Sequence, residues 1–496
     1  MTKFVRASLS WTGAAVLGVG LAAAIAGCTA QQSSVARVME ALGVDHLALS
    51  EETRQELARF DTVYSRYANT QDVEDRLDYF RFAFRRVRTS YVREISDADL
   101  IDAAIKGVEK DKPEPASLPP REVVEKALDG MLQSLDPHSD YMNAQEFEET
   151  YISTRGEFGG LGIEVTMEEG LVKVVSPIED TPAERAGLKP GDRITAVDGD
   201  PVKGKSLSEA VAKMRGEPGT EIILRILRGK QPEFDVTVVR AVIKVRAVRW
   251  RVDGDIGYVR VTRFSEKVEG GIAKAMAALR TQPDNQIKGL VLDLRSNPGG
   301  LLDQSLILAD SFLDAGGIVS VRGRSAENLR EYDARPGDLA RNLPVVVLIN
   351  GGSASASEIV ASALQHHRRA TVMGTRSFGK GSVQTIMPLP VDGALRLTTA
   401  LYYSPSGRTI QAEGVHPDIV ILPEDEVAGQ RERDLPGALP GEGDEVADGK
   451  PRIPEQSCPE AGERKDRLLG CAYSFLKAGS TEGFLAEMAA RGKRPS

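Results

Sequence analysis

Histidine, cysteine and tryptophan are scarce here: five, three and two among 496 residues. The histidines (His46, His138, His366, His367, His416) are mostly scattered, and neither CxxC nor HExxH occurs. That argues against a structural zinc or a zinc-peptidase site, and no metal is expected. Aromatics make up 5% of the chain, too few for a platform on which single-stranded bases stack. No basic run exceeds a few residues, so nucleic acid is not an expected partner. No Walker motif is present and no cofactor is expected. The formal charge of −9 supports solubility without naming a substrate. Gly and Pro stand near average usage, which excludes collagen-like and wholly low-complexity chains. The length fits about three or four domains.

The longest uncharged apolar stretch lies at the N-terminus. Lys3 and Arg6 precede a run from Ala7 to Gly27, the layout of an export signal. The run is long enough to span a bilayer, so a retained anchor is the rival reading. It ends in Ile25-Ala26-Gly27-Cys28, which resembles a bacterial lipobox. Residues 1–27 are therefore read as a lipoprotein signal peptide, and Cys28 as the acylated residue that tethers the chain to a membrane. With Cys28 so used, Cys458 and Cys471 form the even pair expected in an oxidising compartment. Two unpaired thiols are the alternative.

Residues 28–71 read as a polar tether with some helix. Residues 72–142 read as a helical domain. Val73, Leu77, Phe80, Phe84, Val87 and Tyr91 fall on one helical face, and Pro119-Pro120 opens a second helix. Residues 156–240 alternate short strands, two helices and glycine turns. Residues 241–422 alternate strand and helix, and the strands Ile287–Leu294 and Val345–Ile349 are apolar enough to be buried. Residues 423–496 turn rich in Pro, Gly and acid to about Pro454, as a flexible linker does, and end in helices near Asp466–Leu476 and Gly483–Ala490.

Two segments carry chemistry. In Asn350-Gly351-Gly352-Ser353-Ala354-Ser355-Ala356-Ser357-Glu358-Ile359 a buried strand feeds small residues into a helix. Ser355 falls at the helix start, where free N–H groups favour developing negative charge. Taken alone, a serine in this place is usually a helix cap. A nucleophilic serine needs a base, and His366 and His367 lie at the far end of the same helix. Lys380 stands between Gly379 and Gly381, with Gln384 just beyond. A desolvated lysine loses its charge and can accept a proton; a solvated loop lysine is the plain alternative.

Gly159-Gly160-Leu161-Gly162-Ile163, Pro182–Leu188 and Pro190-Gly191-Asp192-Arg193-Ile194 together resemble a PDZ domain. The resemblance assigns Gly160, Leu161, Gly162 and Ile163 to capture of a peptide's C-terminal carboxylate, the tail then adding as a strand. Ser-Ala-Ser-Ala-Ser-Glu-Ile followed by Phe-Gly-Lys-Gly-Ser-Val-Gln resembles the carboxy-terminal processing proteases of peptidase family S41. Asp136-Pro137-His138-Ser139 and Asp293-Leu294-Arg295-Ser296-Asn297-Pro298-Gly299-Gly300 extend that resemblance over about residues 75–422. It implies a multidomain α+β chain: a helical domain, a PDZ-like domain and an α/β core related to the ClpP/crotonase group. It implies Ser355 as nucleophile, Lys380 as general base and Gln384 as its orienter. Gly299 or Gly300, with Ala356, would supply oxyanion N–H groups. The implied partners are protein or peptide tails with free C-termini and an adaptor lipoprotein, and the N-terminal helices point to a second copy of the chain as a further partner. The implied site of action is the periplasmic face of a bacterial envelope. Misfolded envelope proteins, processed precursors and cell-wall hydrolases are the implied substrate classes. Two other readings remain: a lipid-anchored PDZ scaffold without activity, and a crotonase-type acyl-CoA enzyme.

Overall fold

The computed structural model describes residues 49–69, 74–178, 180–205, 207–244, 246–281, 287–424, 429–442, 449–462 and 465–492. The expected signal peptide and Cys28 lie outside them.

Four helices build the first unit: Glu51–Tyr67, Glu74–Ser90, Asp97–Glu109 and Pro120–Gln133. The first is the helix expected within part of residues 28–71, and it packs into this unit. Leu57, Phe60, Tyr64 and Tyr67 recur at helical spacing and are buried, and Ser50 caps the helix by accepting the Thr53 N–H at 3.1 Å. Phe60 stacks on Phe80 with ring centroids 3.8 Å apart. Leu389, Leu395 and Leu397 enter the same cluster. They flank or lie on the strand Ala394–Tyr403, which pairs with Ser382–Pro388 and takes Asp140–Met142 along its other side. The helical unit is thereby fused to the hairpin that carries Gln384.

The PDZ-like unit is entered and left through a two-stranded ribbon, Glu157–Gly160 against Ala241–Lys244. Its main strands run in the order Ile163–Glu168, Leu171–Pro177, Arg193–Val197, Glu221–Leu227 and Phe234–Val239. Alternate residues of Glu221–Leu227 (Ile222, Leu224, Ile226) face its core, as period-two patterning requires.

Among the described residues, seven strands form the large sheet of the core, in the order Val248–Asp253, Ile256–Val261, Gly289–Asp293, Val345–Ile349, Ala370–Gly374, Ile419–Leu422 and Arg452–Pro454. All neighbours after the first pair are parallel. Gly289–Asp293 and Val345–Ile349 are buried at every residue, because helices cover both faces. The helices Val268–Arg280, Leu302–Asp310 and Ala356–His366 pack on one face. Arg467–Ala478 and Thr481–Gly492 supply the apolar cover of the other.

These helices stand where the sequence expected them, but the segment before them is not only linker. Arg452–Pro454 extends the sheet, and Leu469, Ala472, Phe484 and Met488 bury the face made by Tyr258, Val291, Val346 and Leu348. A disulfide joins Cys458 to Cys471 inside this cluster. Composition misleads here because a few buried side chains hold a segment that is otherwise polar.

Phe484→Ala should therefore destabilise the core by about 3–5 kcal/mol, the usual cost of emptying a buried phenylalanine site. Urea unfolding followed by far-UV circular dichroism is the check, with a lowered midpoint expected; an unchanged midpoint would mark the tail as an appendage.

Candidate active site

Ser355 caps the helix Ala356–His366 with φ 53° and ψ −112°, a conformation that non-glycine residues seldom adopt. Such strain costs on the order of 1–3 kcal/mol and is held only by surrounding contacts. These are numerous. The Asn297 carbonyl accepts the Ala354 N–H at 3.0 Å and the Ser357 hydroxyl at 2.9 Å, so the Asn297–Gly300 loop grips both flanks of Ser355. The Ser353 hydroxyl donates to the Leu294 carbonyl at 2.8 Å. His366 and His367 end this 11-residue helix, about 16 Å from its start.

Gly299 lies against the serine: a Cβ there would stand 2.9 Å from Ser355 Cβ and 3.0 Å from the Ala356 nitrogen. Its N–H already donates to Asn297 Oδ1 at 2.9 Å. The Gly300 N–H, on an exposed residue, donates to nothing among the described residues, and neither does that of Ala356. Of the two glycines expected at an oxyanion site, Gly300 is the one with a free donor.

Lys380 is half-buried, and burial lowers the pKa of its amine. The amine donates no hydrogen bond among the described residues. Gly381 beside it is required by the Gln411 backbone, whose nitrogen would stand 2.2 Å from an added Cβ. The lysine loop docks on the serine loop through the Phe378 N–H, 3.0 Å from the Ser353 carbonyl.

Glu358 has no assigned role in the sequence reading, yet it joins these two loops. Its side chain is sealed from water. Oε2 accepts the N–H of Ser355 at 2.6 Å and that of Lys380 at 3.0 Å. Oε1 accepts the Ser377 hydroxyl at 2.6 Å and the Gly379 N–H at 2.7 Å. Burial pushes its pKa up to about 7, with the four donors pulling against that rise. The sequence signal was its place three residues after Ser355, where a carboxylate reaches back to the cap.

Gln384 follows an irregularity in the hairpin register between Val383 and Gln384, a device that re-aims a side chain. Its Nε2 donates to Ser382 Oγ at 2.9 Å and Thr398 Oγ1 at 3.2 Å. Its Oε1 is uncommitted among the described residues. Thr398 Oγ1 donates in turn to Asp136 Oδ1 at 3.0 Å, and the Asp136 carboxylate also takes the Ser139 hydroxyl at 2.7 Å. The Asp136–Ser139 motif thus supports Gln384 from the helical unit.

Asp293 is fully buried. Burial opposes its ionisation, but Arg295 and the Tyr258 hydroxyl outweigh that and hold its carboxyl below the usual range. Arg295 also reaches Asp466 at 2.7 Å, tying the strand end before Asn297 to the tail. In the PDZ-like unit the N–H groups of Leu161 and Gly162 carry no hydrogen bond among the described residues, while their carbonyls are taken by Ala183 and Ile178.

A PDZ unit beside an α/β core with a strained serine, a desolvated lysine and two free N–H groups defines a class, the PDZ-containing serine peptidases. Comparison with known proteins agrees. Residues 255–421 match the family model for peptidase family S41, and residues 159–238 match a PDZ domain model. A carboxy-terminal-processing protease of Bartonella bacilliformis is 52% identical over 361 residues, covering 72% of this chain and 78% of that protein. A probable CtpA-like serine protease of Staphylococcus epidermidis is 35% identical over 302 residues, 60% of each chain. The photosystem II D1 C-terminal processing protease superposes with a TM-score of 0.46 at 29% identity, over 70% of this chain and 93% of that one. The chain belongs to the carboxy-terminal-processing proteases, and is a serine peptidase of family S41 with a PDZ domain.

Glu358→Gln would turn one acceptor oxygen into an amide nitrogen facing two donors. A lost hydrogen bond to a charged group is worth about 1.5–3 kcal/mol, so kcat should fall roughly tenfold to a hundredfold while the fold persists by circular dichroism.

Proposed function

We propose that this protease is an endopeptidase of the bacterial envelope, anchored by lipid at Cys28 on the periplasmic face, that cleaves protein substrates presented by their C-terminal tails. The observation that carries the chemistry is the shared Glu358 oxygen, bound to the backbone N–H of both Ser355 and Lys380. A single atom thereby sets the nucleophile's loop against the base's loop.

Ser355 Oγ attacks the peptide carbonyl as the neutral Lys380 amine takes its proton. Gln384 Oε1, with its Nε2 anchored on Thr398, accepts from that amine and orients it. The N–H groups of Gly300 and Ala356 hold the oxyanion, at about 3–4 kcal/mol per donor in comparable sites. Lys380 returns the proton to the leaving amine, and the acyl-enzyme forms. A water then gives its proton to Lys380, attacks the ester and releases Ser355. Lysine takes the part that histidine plays in the Ser-His-Asp arrangement.

Capture of the tail rests on the free N–H groups of Leu161 and Gly162, which suit a terminal carboxylate. Ile163, Val165, Leu207 and Val211 are partly exposed on the same apolar cluster, and this favours tails with apolar last residues. Envelope proteins, including precursors and cell-wall hydrolases, are the substrate class that fits the proposed location. That location rests on Ile25-Ala26-Gly27-Cys28.

Ser355→Ala and Lys380→Ala should each abolish cleavage of an unfolded model protein, followed by mass spectrometry; full activity in either would overturn the mechanism. Amidating the substrate's C-terminus should raise KM far more than it changes kcat. The pH profile follows from two groups. A charged Lys380 cannot accept a proton, and Glu358 loses its charge below about pH 7. Both losses set in as pH falls, so kcat should drop on the acid side; a flat profile down to about pH 5 would contradict this assignment. Cys28→Ser should move the protein from the membrane to the soluble fraction.

A further inference from the structure

The residues matched to the peptidase family end at 421. Residues 429–442 lie beyond them, yet they form one wall of the lysine loop. The Glu432 N–H donates to the Phe378 carbonyl at 3.2 Å. The Glu432 side chain is 1% exposed. Its Oε1 accepts Gln411 Nε2 at 2.9 Å, and that same nitrogen donates to the Leu439 carbonyl at 3.1 Å. Gln411, itself fully buried, accepts the Gly381 N–H on its Oε1 at 3.0 Å. Lys380 is therefore held on both flanks. Glu358 binds the N–H groups of Gly379 and Lys380, and Gln411, steadied by Glu432, binds that of Gly381.

A third element meets the same carboxylate. His138 Nε2 lies 2.7 Å from Glu432 Oε2 and 3.0 Å from Oε1. His138 belongs to the Asp136–Ser139 turn, whose Asp136 is linked through Thr398 to Gln384. A buried carboxylate persists only with partners, because loss of water costs several kcal/mol by itself. Here the partners come from the tail, the helical unit and the core at once.

We propose that Glu432 is a positioning residue for the general base, holding the lysine loop from the tail side through Gln411 and Phe378 and locking it to the helical unit through His138. This rests on the assignment of Lys380 as the base. The charged groups that act on the Lys380 amine come from four elements. They are Glu432 on the tail, Arg396 on the hairpin, Asp136 after the helix Pro120–Gln133, and Glu358 on the serine's helix. Glu432 acts most strongly among them, and its negative charge favours the protonated amine. Removing that charge should free the base at lower pH; removing the whole side chain should let the loop drift.

The test compares Glu432→Gln and Glu432→Ala in the full chain, with kcat and KM measured across pH on a peptide with a free C-terminus. Glu432→Ala should lower kcat at least roughly tenfold with KM nearly unchanged, as misplacement of a catalytic group does. Glu432→Gln should restore most of kcat at alkaline pH, with its acid limb displaced to lower pH relative to the parent protein when both carry Glu358→Gln, so that Lys380 alone sets the limb. A purely structural role would move kcat or folding and leave that limb in place. An acid limb that coincides with the parent's, or full kcat in Glu432→Ala, would overturn the proposal. Should Glu432→Ala fail to fold, the limb of Glu432→Gln decides alone. Lys380→Ala, run in parallel, separates the two levels. Activity there overturns the base assignment, whereas its loss together with an unmoved limb in Glu432→Gln overturns only the role of Glu432.

Discussion

The Glu358 carboxylate, out of reach of water, accepts four hydrogen bonds, from the N–H groups of Ser355, Gly379 and Lys380 and from the Ser377 hydroxyl. Desolvation alone would expel its charge. Four donors repay that cost, and in doing so they must stand where the carboxylate needs them. Two loops from different strand ends thereby acquire one relative geometry. The strained backbone of Ser355 depends on the same bond, because its N–H is fixed at 2.6 Å to Oε2.

Around that centre the fold supplies rigid supports in pairs. Asn297 holds the chain on either side of Ser355 through Ala354 and Ser357. Asp293 and Arg295 fasten the preceding strand end, and Asp466 extends that pair into the tail. Leu395 and Leu397 bury the Gln384 hairpin in the helical unit's core, so Gln384, the proposed orienter of the base, is carried by two units at once. The PDZ unit hangs on a two-stranded ribbon instead. That division suits the proposed capture of substrate tails by the PDZ unit, with the chemistry kept stiff.

Much of this was legible in the residues. Val345–Ile349 occupies the range that its apolar run marks out. The helix after Pro119 starts where proline permits and buries Val123, Val124, Ala127, Leu128, Met131 and Leu132. Some helix was expected where Glu51–Tyr67 stands, but a polar average concealed that Leu57, Phe60 and Tyr64 would be buried. The segment 429–442 was not. Its burial depends on Glu432 finding Gln411 and His138, and sequence distance conceals such partners.

Residue type and order by themselves determined the candidate chemistry: a serine at a helix start, a lysine between glycines, a glutamine beyond it, and a glycine loop ahead of a small sheet. These are local properties, set by backbone freedom, helix-end donors and hydrophobic period. Only the tertiary structure decided that Glu358 joins the two loops, that Gly300 rather than Gly299 keeps a free N–H, and that the tail closes the second face of the sheet. Each of these is a hydrogen bond or a buried contact between residues far apart in the chain or competing for one acceptor. Which of them forms is settled by packing, and no local pattern encodes it.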